Sequence, residues 1–230
     1  MSYDKSKVSI VIACKNEGEG IKKILESVKK YSSDIIVVDG HSNDGTREIA
    51  EKFGARFFLD HRKGRGDALK IGIKNAKKSI ILFFDADGSH DENDIPDFVE
   101  PILKNEADLV IGSRRTGGSA DVTIDLIGII RAAGCDVLVA LVNQKFKTNL
   151  TDILYSFRAI RKSTAQSLKL KSDDFGVEQE MVVSVLKKGY EIKEIPSRER
   201  ARGWGRSKLK TITGLKFILS LLNQLYFQSK

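Results

Sequence analysis

Two carboxylates one residue apart, Asp85 and Asp87, close an apolar run in the stretch I-I-L-F-F-D-A-D-G-S-H from Ile80 to His90. Side chains alternate faces along an extended chain, so both carboxylates point to one side with only Ala86 between them. Hard oxygens of this kind suit Mg²⁺ or Mn²⁺, above all a cation that bridges a diphosphate. A buried strand that ends in two like charges gains nothing for its core, and a cation between them supplies the missing counter-charge. The plainer alternative is a turn with capping carboxylates, since Asp91 and Asp94 follow closely. Asp39 ends a second apolar run, Ile35-Ile36-Val37-Val38, where a carboxylate is placed to accept hydrogen bonds from a base or a ribose. Arg114 follows Gly112-Ser113, and a strand-end arginine near a metal site can pair a phosphate. The basic loop Lys63-Gly64-Arg65-Gly66 is neither a Walker loop nor a G-x-G-x-x-G fingerprint, and alone it reads as a solvated loop. His41, His61 and His90 share no metal-ligand spacing and read as ordinary polar residues.

The elements that must position these residues alternate between strand and helix patterns. Strands are expected over 8–13, 35–38, 55–59, 80–84 and 107–112, and helices over 21–28, 46–53, 67–76 and 95–104. Such repetition implies an α/β protein with a largely parallel central sheet and helices on both faces. Ligands of these sheets bind beyond the carboxyl ends of the strands, where Asp39, Asp85 and Arg114 converge. The second half is less regular. Residues 113–123 show no obvious element, 124–142 form one or two helices, and strands are expected over 154–160 and 191–195 with a helix over 176–187. Six basic residues against one acid occupy 198–210, where Trp204 could mark a membrane interface. Ile212, Leu215, Leu219, Leu222 and Tyr226 then recur at the spacing of an amphipathic helix. One domain over residues 1–206 with a helical extension over 207–230 accounts for the pattern; that extension either packs on the domain or docks on a membrane.

Composition narrows the partners. With 41% hydrophobic and 30% charged residues among 230, the chain has the profile of a soluble globular protein rather than a disordered one. A net charge of +8 favours anionic partners such as nucleotides, phosphates, nucleic acid or an acidic membrane. Cys14 and Cys135 lack zinc-site or disulfide-framework spacing, which favours reducing, intracellular conditions. Neither a signal peptide nor a spanning apolar segment is visible.

Taken in order, the motifs resemble the family-2, GT-A glycosyltransferases, and within them the dolichyl-phosphate mannose synthase type. The resemblance rests on Val11-Ile12-Ala13-Cys14-Lys15-Asn16-Glu17, the run from Val37 to Thr46, Gly64-Arg65-Gly66-Asp67-Ala68, Asp85-Ala86-Asp87 and Gly112-Ser113-Arg114. It continues through Asp152, Ser156-Phe157-Arg158, Glu194-Ile195-Pro196 and Arg202-x-x-Gly205-x-Ser207-Lys208. It implies a Rossmann-like GT-A fold and a nucleotide-sugar donor, GDP- or UDP-linked, whose nucleoside and diphosphate meet Glu17, Asp39, Asp67 and Asp85. Asp85, Asp87 and Ser89 would hold Mg²⁺ or Mn²⁺, while Arg114, Arg131, Arg202 and Lys208 would contact phosphates. The acceptor would be a polyprenyl phosphate, whose oxygen is already anionic, and the anomeric carbon would invert. The enzyme would sit peripherally on the cytoplasmic face of a membrane. Ser89 stands where these synthases usually carry Gln, Gly40 and Arg65 replace Asp and Lys, and Tyr155-Ser156 replaces Ser-Gly. Transfer to a soluble or polysaccharide acceptor, nucleotidyl transfer and anionic-surface binding are the alternatives. A nucleic-acid module would explain the charge but not the strand-end carboxylates, so nucleic acid is not an expected partner.

Overall fold

In the computed structural model, residues 3–120, 126–204 and 213–227 are described. Strands β1 (Val8–Cys14), β2 (Asp34–Asp39), β3 (Arg56–Leu59), β4 (Ile80–Asp85), β5 (Leu109–Ser113), β6 (Arg158–Arg161) and β7 (Ile192–Pro196) form one seven-stranded sheet in the order β3-β2-β1-β4-β6-β5-β7. All neighbours run parallel except β6, which is antiparallel to both β4 and β5. This is the expected α/β architecture, a mostly parallel sheet between helical layers.

The apolar runs are continuous because both faces of the sheet are covered. Along β4, Ile80, Leu82 and Phe84 enter one core while Ile81 and Phe83 enter the other. The first core lies under α1 (Gly18–Val28), α2 (Thr46–Lys52) and α4 (Ile95–Leu103), which contribute Ile21, Leu25, Ala50, Phe98 and Ile102. The second lies under α3 (Arg65–Asn75), and also under α6 (Leu126–Phe146), α7 (Lys162–Ser167), α8 (Val177–Lys187) and α9 (Thr213–Leu222). The remaining helix, α5 (Arg114–Gly117), is a single turn.

Two expectations for the second half change. Residues 113–123, expected to hold no element, include α5, because the Ser113 hydroxyl accepts the amides of Arg115 (3.2 Å) and Thr116 (3.4 Å). The strand expected over 154–160 shortens to β6, because Asp152 accepts the amides of Leu154 (3.0 Å) and Tyr155 (3.1 Å) and curls the preceding residues into a turn. The apolar segment over 124–142, expected as one or two helices, is a single helix, α6, from Leu126 on. The face of the C-terminal extension that turns inward is not the expected stripe: Phe217, Leu221 and Leu225 are buried in the second core, and Gln179 Nε2 donates to the Phe217 carbonyl at 3.2 Å, whereas Leu222 of that stripe is half-buried. Leu219, Tyr226 and Phe227 remain exposed. Among the described residues no helix is long and apolar enough to cross a membrane.

Candidate active site

At the carboxyl end of β4 the two carboxylates meet different partners rather than sharing one space. Asp85 Oδ1 accepts from Arg65 Nη2 at 2.7 Å, and Oδ2 accepts from the Ser156 hydroxyl at 2.6 Å. Arg65 is only 13% exposed and also gives its Nε to Glu178 Oε1 at 2.6 Å, so one guanidinium bridges two carboxylates. The glycines beside it explain how it gets there. Gly64 has φ of 125°, and a Cβ on Gly66 would lie 2.3 Å from the Ser172 carbonyl oxygen, so only a bare backbone admits this approach. The loop expected to be solvated and basic is instead the anchor of Asp85.

His90 completes the surroundings of Asp85. It is 2% exposed, its ring stacks on Phe157 at 4.5 Å, and Phe84 and Tyr155 meet it edge-on. Its Nδ1 accepts the Asp85 amide at 3.1 Å, so in neutral imidazole the proton sits on Nε2, which lies 3.1 Å from the Ser156 hydroxyl. Amide, imidazole, hydroxyl and carboxylate thus close a ring. Burial raises the Asp85 pKa, but the Arg65 charge, His90 and the two hydrogen bonds outweigh it and hold the carboxyl well below its usual range. Burial pushes His90 the other way, below the ordinary imidazole value, against the pull of Asp85 and Asp87. Sequence spacing missed His90, Ser156 and Glu178. The available signal was Ser156 itself, standing where the synthases that the motifs resemble carry glycine.

Removing the Ser156 hydroxyl takes a charge-assisted hydrogen bond from a buried carboxylate. Ser156→Ala is therefore expected to cost about 1.5–3 kcal/mol, read as a lower urea midpoint at unchanged slope. Ser156→Thr, which keeps the hydroxyl, should lose clearly less.

Asp87 is held differently. Its Oδ1 accepts the amide of Ser89 at 3.0 Å and the Ser89 hydroxyl at 2.7 Å, while Oδ2 pairs with Arg202 Nη1 at 2.6 Å. Asp87 is 8% exposed by side chain and Arg202 32%, so this arginine, unlike Arg65, reaches the surface. The Ser89 side chain bears on Asp87 itself, which fits an orienting role for that carboxylate.

The other expected residues spread along the same rim. Asp39, 2% exposed, accepts the Ser42 amide at 2.7 Å and the Ser42 hydroxyl, with the Cys14 thiol at 3.5 Å. Glu17 stands at the start of α1, where its carbonyl accepts the amides of Gly20 and Ile21. Asp67 is buried in the first turn of α3 and accepts the His61 amide at 2.7 Å and ring nitrogen at 3.0 Å; burial raises its pKa, but these bonds bring it below the usual range. Arg114 clamps Asp152 with Nε and Nη2 at 2.7 and 3.2 Å, and its guanidinium lies over the Tyr155 ring. Arg131 is exposed on α6. Lys208 and the 206/207 domain boundary lie outside the described residues. Trp204 is no membrane marker in this fold: its Nε1 donates to the Ala86 carbonyl at 2.8 Å and its ring packs against Gly20 and Gly88. The rim therefore gathers Asp87, Ser89 and Arg202 by direct contact, and links Arg114 to Asp85 through Tyr155 and His90.

Among the described residues no group of three or more His, Cys, Asp or Glu side chains could hold a metal ion. The hard oxygens at this strand end are those of Asp87 and its neighbouring Ser89 hydroxyl, beside an Asp85 already engaged by Arg65 and Ser156. So sparse a set of hard oxygens suits Mg²⁺ or Mn²⁺ that takes most of its shell from phosphate and water.

Comparison with known proteins places these motifs in context. The profile of the family described as Glycosyl transferase family 2 matches residues 9–168. Uncharacterized protein MJ1222 of Methanocaldococcus jannaschii is 33% identical over 234 residues, which span 97% of this chain and 94% of that protein. Glycosyltransferase AglJ of Haloferax volcanii is 28% identical over 192 residues, 83% of this chain and 62% of AglJ. Among solved structures, glucosyl-3-phosphoglycerate synthase from Mycobacterium tuberculosis, in complex with Mn²⁺, uridine diphosphate and glucosyl-3-phosphoglycerate, matches with a TM-score of 0.76. That match covers 98% of this chain and 82% of the other at 20% identity, and it shows a shared fold.

Proposed function

From a chain that belongs to glycosyl transferase family 2 and is therefore a glycosyltransferase, we propose inverting, metal-dependent transfer of a hexose from a GDP- or UDP-linked sugar to a polyprenyl phosphate of the dolichyl type. The observation that carries the donor half is Asp87, a nearly buried carboxylate at a strand end whose outer oxygen faces a surface-reaching arginine. In support, glucosyl-3-phosphoglycerate synthase is described with Mn²⁺ or Mg²⁺ and uridine diphosphate, and with uridine diphosphate glucose.

In this reading Asp87, oriented by Ser89 and flanked by Asp85, would hold Mg²⁺ or Mn²⁺, which when bound supplies Lewis-acid stabilisation of the departing diphosphate. Asp39, with Glu17 and Asp67 on the same rim, holds the nucleoside side of the donor. Arg202, Arg114, Arg131 and Lys208 supply positive charge to the phosphates of donor and acceptor. An acceptor phosphate oxygen is already anionic, so the chain needs no strong general base; its task is alignment and charge stabilisation. The membrane-facing part of the proposal, a peripheral position on a cytoplasmic membrane face, draws support from exposed Leu219, Tyr226 and Phe227 with Lys145 over the Tyr226 ring at 4.8 Å.

One observation favours a second reading, transfer to a soluble phosphorylated acceptor: one apolar face of the C-terminal extension, Phe217, Leu221 and Leu225, is spent on the protein's own core. Incubation with Mn²⁺ or Mg²⁺, a panel of nucleotide sugars and either a polyprenyl phosphate or 3-phosphoglycerate separates the two. A glycolipid identified by mass supports the first reading. Product with phosphoglycerate and none with the lipid overturns it.

A further inference from the structure

The segment that carries Arg202 is bonded to the acidic turn along its length. The Ser89 carbonyl accepts the Arg200 amide at 2.8 Å, the Asp87 carbonyl accepts the Gly203 amide at 2.9 Å, and the Ala86 carbonyl accepts Trp204 Nε1 at 2.8 Å. Arg200 pairs with Asp91 and lies 3.6 Å from Glu92. Upstream, Glu199 exchanges backbone hydrogen bonds with Gly118 and Ala120 at 3.0 and 2.9 Å. The Trp204 ring fills a slot that two glycines leave open: a Cβ on Gly20 would lie 1.7 Å from ring atoms, and one on Gly88 2.9 Å. Lys23 Nζ lies 5.5 Å from the ring centroid. In this arrangement Arg202 occupies the outer oxygen of Asp87.

A guanidinium and a divalent cation cannot share that oxygen, because their charges repel at contact distance. We propose that Arg202 is the resting counter-ion of Asp87, exchanged for the metal, so that cation binding releases a guanidinium toward the donor's diphosphate. This rests on Asp87 being the metal ligand. Metal alone then binds weakly, since it must displace an ion pair, while metal and nucleoside diphosphate bind with positive coupling. Trp204, pinned beside Arg202 by the same backbone bonds, is the chain's only tryptophan and reports the exchange.

The test is Mn²⁺ binding to the full chain by electron paramagnetic resonance, with Mg²⁺ titrations followed by Trp204 fluorescence, each with and without UDP or GDP. Arg202→Gln is expected to bind Mn²⁺ alone about tenfold more tightly than wild type, within the span of ordinary site-to-site coupling. With nucleoside diphosphate present, that advantage should vanish or reverse, because the released guanidinium is missing. Arg202→Lys, which keeps the charge, should retain the weak binding of metal alone. Unchanged or weaker Mn²⁺ binding by Arg202→Gln overturns the exchange while leaving the metal site standing. Wild-type Mn²⁺ affinity in Asp87→Asn overturns the site itself, and the exchange with it.

Discussion

Asparagine at position 87 is expected to leave a folded protein that has lost transfer by roughly 10³-fold in kcat. The single amide oxygen can still accept from Ser89, while the NH₂ group that replaces Oδ2 gives up the Arg202 pair, and that arginine, 32% exposed, can turn to solvent. A metal's stabilisation of a leaving diphosphate is worth several kcal/mol, and about 4 kcal/mol corresponds to three powers of ten. The measurement is single-turnover transfer at saturating donor, with the urea midpoint as control. Asp85→Asn should show the reverse balance. That carboxylate is enclosed by Arg65, Ser156 and His90, so its neutralisation breaks this network, leaves Arg65 with Glu178 alone, and damages stability more than chemistry. Equal loss of transfer in both variants, with equal stability, would show that the two carboxylates are not divided in this way.

The second large effect concerns the buried arginine. Arg65→Met removes the partner of both Asp85 and Glu178 and leaves two carboxylates, 17% and 4% exposed, without their counter-charge. Breaking a buried pair by deleting one partner costs about 3–5 kcal/mol. For a chain of this size that lowers the melting temperature on the order of 10 °C. The deficit has a definite pH signature. In the wild type the Asp85 pKa is depressed, so its contribution is present above the ordinary carboxylate value near ~4 and is lost as pH falls toward the folded-state value. The gap between wild type and Arg65→Met is therefore full at neutral pH and narrows below about pH 4. Calorimetry across that range checks it; a gap that widens in acid would contradict the pairing.

The first half of the fold was legible because its strands are covered on both faces and so appear as unbroken apolar runs: I-I-V-V before Asp39 and I-I-L-F-F before Asp85. Strand β6 resisted the same reading. Its four residues, R-A-I-R, look polar, yet Arg158 is fully buried and donates to the carbonyls of Ile153, Tyr155 and Glu178. A guanidinium that satisfies backbone carbonyls leaves no periodic trace. Around the site, Asp85 and Asp87 were visible as strand-end acids, but their unlike roles were not, because the partners that separate them come from residues 65, 156 and 202. His90 has no metal-ligand spacing to mark it in the sequence. Its role depends on an amide, a hydroxyl and an aromatic nest that only the folded chain assembles.

The reversed strand β6 also sets the order in which the site is completed during synthesis. Asp85 has its arginine twenty residues earlier in the chain, so the nascent N-terminal half already carries that charge pair. Ser156 follows Asp85 by 71 residues, Glu178 follows Arg65 by 113, and Arg202 comes later still. Domains emerge from the ribosome N-terminus first, and β6 cannot insert between β4 and β5 until both exist. A ribosome-stalled chain ending near residue 120 would thus display Asp39, Asp85 and Asp87 with an unfilled gap between its central strands. The strand-end acids are made early, and Ser156 and Arg202, which complete their surroundings, are made late.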